Sequence, residues 1–107
     1  DRNRHDDRIS TFYLETTQSI QIHHLIAWIE NLLETHGEKL LRLKGILDIE
    51  GSDKPVVVHG VQHIFHPLST LSAWPHGERR SRLVLIVRDL VRETIEQSFK
   101  ERVLRGS

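Results

Sequence analysis

The sequence predicts an α+β fold: a two-layer sandwich whose four-stranded, mainly antiparallel sheet carries two helices on one face, in the order β-α-β-β-β-α. Three observations lead there. In four stretches apolar residues alternate at a period of two, the pattern of strands buried on one side. In two others they recur every three or four residues, which gives a helix with one apolar stripe. The connections between the last three strands are short or built of turn residues, so those strands are expected as antiparallel neighbours, with the first helix as a right-handed crossover. A chain of 107 residues has room for one core and not two.

Residues 8–16 open the fold as a strand, with Phe12 and Leu14 on one face and Ile9, Thr11, Tyr13 and Glu15 on the other. Helical spacing follows in Leu25, Ile29, Leu32 and His36, widened by Ile26 and Leu33. Trp28 lies beside that stripe, flanking the core or facing a partner, and Gly37 stands where a left-handed cap would end the helix. Over residues 40–50, Leu41, Leu43, Leu47 and Ile49 alternate with Arg42, Lys44, Asp48 and Glu50. Gly45 falls on the apolar face, where it permits a bulge or the close approach of another element. Residues 51–55 carry turn chemistry at every position. The third strand, 56–65, begins apolar on both sides, which argues for a central place in the sheet, and Pro67 ends it. A loop over 67–78 turns at Trp74-Pro75-His76-Gly77. The last strand is 82–89, and the last helix, 91–103, sets Val91, Ile95, Phe99 and Val103 on one stripe, with Glu96 and Lys100 spaced for an ion pair. The domain is thus 9–104, with a linker-like start at 1–8 and a tail at 105–107.

Fifteen basic residues balance fifteen acidic ones, so no net field favours nucleic acid or an anionic membrane. Without cysteine there is no disulfide, no thiolate nucleophile and no thiolate metal ligand, which fits the reducing cytoplasm. No apolar run approaches the roughly 20 residues that span a bilayer. The sequence contains no Met even at position 1, and its first seven residues are polar and charge-dense. Both features suit a piece of a longer chain.

The six glycines never give the spacing by which a phosphate loop wraps a nucleotide. Eight histidines invite a metal reading. On a straight strand His59 and His63 would stand roughly 13 Å apart, too far to share one ion. His63 and His66 would converge if the chain bent at Pro67, with His76 joining from the next loop as a zinc or cobalt ligand. The ordinary role of strand histidines, satisfying polar groups or facing water, weighs against it. Asp48 and Glu50 share a face roughly 6–7 Å apart but flank a polar turn, where solvation is expected rather than catalysis. Arg79, Arg80, Arg82, Arg88 and Arg92 form a basic cluster that reads as a salt-bridged face or a docking patch. From the residues alone, the chain is a non-catalytic module.

Leu41-Arg42-Leu43-Lys44-Gly45, Gly60-Val61-Gln62-His63-Ile64-Phe65, Arg79-Arg80-Ser81-Arg82-Leu83-Val84 and Val87-Arg88-Asp89-Leu90 together resemble the C-terminal domain of the CobW family. Val87 stands where many members have Gly. The resemblance runs from about residue 8 to 103. It implies a parent that is a GTPase, using GTP with magnesium, and that delivers zinc or inserts cobalt in cobalamin synthesis. It also implies partners: the parent's own N-terminal GTPase domain and a client metalloprotein. The phosphate loop and cysteine motif of that GTPase domain match no position here, so no catalytic residue and no cofactor is carried over. Lys44, His63, Arg82, Arg88 and Asp89 are the matched positions expected to serve interaction. Stripped of its neighbour, such a domain is expected to expose an apolar patch and self-associate.

Overall fold

The computed structural model describes residues 8–105; residues 1–7 of the linker-like start and 106–107 of the tail lie outside them. The elements are β1 (Ile9–Thr16), α1 (Ile22–His36), β2 (Leu40–Leu47), β3 (Val56–Val61), β4 (Ile64–Phe65), β5 (Ser69–Thr70), β6 (Ser81–Arg88) and α2 (Arg92–Phe99). A 3-10 turn, Pro75–Gly77, precedes β6, and a π-helical turn, Lys100–Leu104, continues α2.

The sheet has six strands where four were expected. Its order is β1-β6-β2-β3-β4, with β5 on β3, and every pairing is antiparallel. The third strand is shorter than its apolar run because Gln62 adopts a positive φ of 54°. The chain turns back there, so Val61 faces Ile64 and Gly60 faces Phe65. The second departure is the place of β6. It does not lie beside β3 but inserts between β1 and β2, which makes a split β-α-β unit. β6 is the strand best fitted to the middle: Leu83, Leu85 and Val87 are fully buried on one side, and Val84 and Ile86 are half-buried on the other.

The core is a single cluster of inward strand residues and helix stripes. Phe12 and Leu14 of β1, Leu43 and Leu47 of β2, Val58 of β3 and the three buried β6 residues meet Leu25, Ile29 and Leu32 of α1 and Ile95 and Phe99 of α2. Trp28 belongs to this core and not to its flank. It is fully buried, its indole N–H donates to Ser98 Oγ at 2.8 Å, and its ring meets Phe99 edge-on at 5.1 Å. In β2 the pairing slips at Leu41, between Leu40–Val87 and Arg42–Ile86. This bulge buries Leu40 in place of Leu41. Gly37 is right-handed, with φ −45°, rather than a left-handed cap. Its missing Cβ serves the fold differently: a Cβ there would lie 2.8 Å from His63 Cε1. In α2, Val91 is exposed at the N-cap, and Glu96 approaches Arg92 at 3.9 Å instead of Lys100.

Candidate functional site on the outer face of the sheet

Strand alternation turns every second residue away from the core, and register aligns those residues in rows. Tyr13, Val84, Lys44 and His59 form one row; Thr11, Ile86, Arg42 and Val61 form the next; Glu15, Arg82, Ile46 and Val57 form a third. Arg88 extends the face beside Ile9. The result is an open surface with an apolar band, Val84 and Ile86, rimmed by cations. A depression of about 260 Å³ lies over that band, lined by Arg42, Lys44, Val84 and Ile86.

Glu15 is the one carboxylate in these rows, and it is already held by Arg80 at 2.7 Å and Arg82 at 3.2 Å. Among the described residues Arg42 and Lys44 enter no ion pair within 4 Å. Their charge is felt by His59, whose pKa lies below the usual histidine value because of partial burial first, then Arg42, His66 and Lys44.

Three of the five expected interaction residues, Lys44, Arg82 and Arg88, share this face. His63 and Asp89 do not. His63 sits in the β3–β4 turn with its ring against Gly37 at the end of α1. Asp89 ends β6 with a φ of 54°, where its amide donates to the Arg8 carbonyl and its carboxylate takes a fork from the Arg8 guanidinium at 2.6–3.2 Å. That hydrogen bond holds the Asp89 carboxyl below its ordinary range. Arg42, Val84 and Ile86 join this face as well, and the signal for them in the sequence is their shared parity with Lys44 and Arg82.

The metal set His63, His66 and His76 is not assembled. The chain bends at Gln62 rather than at Pro67, which sends His63 toward α1 and brings His66 back onto His59, ring centroids 4.8 Å apart and nearly parallel. His76 occupies the separate 3-10 turn. Among the described residues no three His, Asp or Glu side chains are grouped to hold an ion. His63, His66 and His76 are therefore not brought together around one ion. Asp48 also departs from expectation. It is buried, not solvated, and Arg79 Nε donates to its carboxylate at 3.1 Å, while Glu50 is exposed. Arg79 further donates to the Ser52 carbonyl and stacks over Trp74 at 5.6 Å, so Asp48 anchors the 71–80 loop and stands in no catalytic pair.

A family model described as "Cobalamin synthesis protein cobW C-terminal domain" matches residues 9–103. The chain belongs to the CobW C-terminal domain family. Among curated proteins it is similar to the zinc chaperone YjiA of Escherichia coli, 31% identical over 91 residues, which is 85% of this chain and 28% of that protein. Two solved structures share the fold: a zinc-bound triple mutant of the YjiA GTPase, with a TM-score of 0.79, and zinc-bound YjiA GTPase from E. coli, with 0.78. Each is 29% identical, and the match covers 89% of this chain and 30% of theirs. The CobW-type domain thus spans less than a third of the relatives it matches.

Proposed function

We propose that this domain is the interaction and regulatory part of a cytoplasmic, CobW-like, GTP-dependent metal chaperone. The parent would use GTP with magnesium and handle zinc or cobalt, the latter in cobalamin synthesis. Here the domain binds neither nucleotide nor metal; it docks on the parent's GTPase domain and on a client metalloprotein. The match over residues 9–103 to a domain whose curated relative is a zinc chaperone carries this reading.

The surface agrees with a docking role. Besides the cationic face, an apolar groove of about 360 Å³ runs between Ile26, Ile29 and Leu33 of α1 and Val58, Phe65 and Leu68. Permanent interfaces are the more apolar ones, so the groove suits the GTPase domain and the charged face suits a transient client. The test is GTP hydrolysis by a CobW-family GTPase domain alone and with this chain fused behind it, together with its preference among client proteins. The isolated chain is expected neither to bind nor to hydrolyse GTP, and the fusion to change rate or client preference. Unchanged rate and preference would overturn the proposal. The reading as a zinc- or cobalt-binding module through His63, His66 and His76 is disfavoured by their separation.

A further inference from the structure

We infer that the outer face of the sheet receives an acidic, extended segment of another protein, with carboxylates two residues apart seated on Arg42 and Lys44. This deepens the docking role proposed above and rests on it. The first support is charge. The rows expose three cations, Arg42, Lys44 and Arg82, and Arg88 adds a fourth beside them, against Glu15 alone, which is already engaged by Arg80 and Arg82. Arg88 lies near Asp89, which Arg8 already holds. Among the described residues Arg42, Lys44 and Arg88 enter no ion pair, and Arg42 and Lys44 stand together on β2.

Spacing is the second support. Residues two apart on a strand lie roughly 6–7 Å from each other on one face. An extended segment has the same repeat, so a Glu-x-Glu stretch running along β2 presents its carboxylates in step with Arg42 and Lys44. The aliphatic stems of the two Glu would pass over Val84 and Ile86, which stand beside Lys44 and Arg42 across the strand pair and are half-buried, and an apolar side chain two residues further along would lie over Ile46. A nucleic acid suits the face poorly. Its affinity comes from many neutralised phosphates, and among the described residues only Arg42, Lys44 and Arg88 of this face are unpaired, around an apolar floor.

The probe is a fluorescein-labelled peptide with two Glu two residues apart, flanked at the same spacing by Leu. Its anisotropy is measured with the full 107-residue chain. Binding is expected to weaken about tenfold or more in the double variant Arg42→Glu, Lys44→Glu. It should hold in Lys100→Glu, Arg102→Glu, which reverses as much charge on the C-terminal turn. Both variants are checked for folding by circular dichroism, with Arg42→Gln, Lys44→Gln replacing the first if it unfolds. Absence of peptide binding, or binding indifferent to the Arg42 and Lys44 changes, would overturn the inference. So would equal competition by a single-stranded oligonucleotide of matched charge, which would make the face a phosphate-binding one. The hydrolysis assay on the fused protein reads the docking role separately, so either can fail while the other stands.

Discussion

A methyl group added at Gly45 would run into Leu83 Cδ2 and meet the Arg82 carbonyl oxygen at 2.7 Å. The leucine can shift, but the carbonyl belongs to the backbone of β6, paired on both sides. Gly45→Ala is therefore expected to cost about 1–3 kcal/mol through overpacking, read as a lower urea midpoint at unchanged slope. A midpoint equal to that of the parent chain would show that the sheet yields there. His59 sets a pH dependence. Its folded pKa lies below the ordinary value of 6.5, so the folded state takes up a proton less readily than the unfolded chain. The stability it contributes is present above about pH 6.5 and is lost as pH falls from there toward the folded pKa. His59→Gln should flatten that decline in urea titrations; an equal decline in the variant would assign it to other groups. Single residues differed in how legible they were. The apolar-face position of Gly45 announced a close approach, whereas the burial of Asp48 was hidden because its partner, Arg79, lies 31 residues along the chain.

At the joint between the two helices Trp28 from α1 meets Ser98 and Phe99 from α2. Trp28→Phe keeps most of the buried ring but gives up the hydrogen bond, and Ser98→Ala leaves the buried indole N–H without a partner. Each is expected to cost on the order of 1–3 kcal/mol, and the double variant less than their sum, since both remove the same bond. Strictly additive losses in denaturant melts would mean that the bond contributes nothing. Element type was readable because periodicity is local: both helices and the long strands lie within a few residues of their expected spans. Two features escaped. The apolar run 56–65 shows no break at Gln62, whose positive φ is stabilised by the β4 pairing rather than by a turn residue. The bulge at Leu41 shifts parity by one, so Leu40 and Leu41 exchange sides without any change in composition.

Strand order belongs to the whole molecule, and it is where local reasoning reached least far. Chain proximity put β6 beside β3, yet burying Leu83, Leu85 and Val87 completely requires neighbours on both sides, and the gap between β1 and β2 supplies them. The same placement generates the outer face, because β6 and β2 then lie adjacent and their even-numbered cations join. Neutral total charge thus conceals a segregated one: α1 carries Glu30 and Glu34 with no Lys or Arg, while the sheet turns its cations outward. One continuous core across both helices and the long strands also implies that no part unfolds alone. In a Trp74→Phe background Trp28 is the only indole, and it reports from the point where both helices meet the sheet. Its fluorescence and the far-ultraviolet circular dichroism should therefore give coincident urea transitions. If α2 were a separate unit, fluorescence would change first, since loss of Ser98 and Phe99 opens the Trp28 pocket while the strands and α1 persist. A fluorescence midpoint clearly below the dichroism midpoint would divide the core in two.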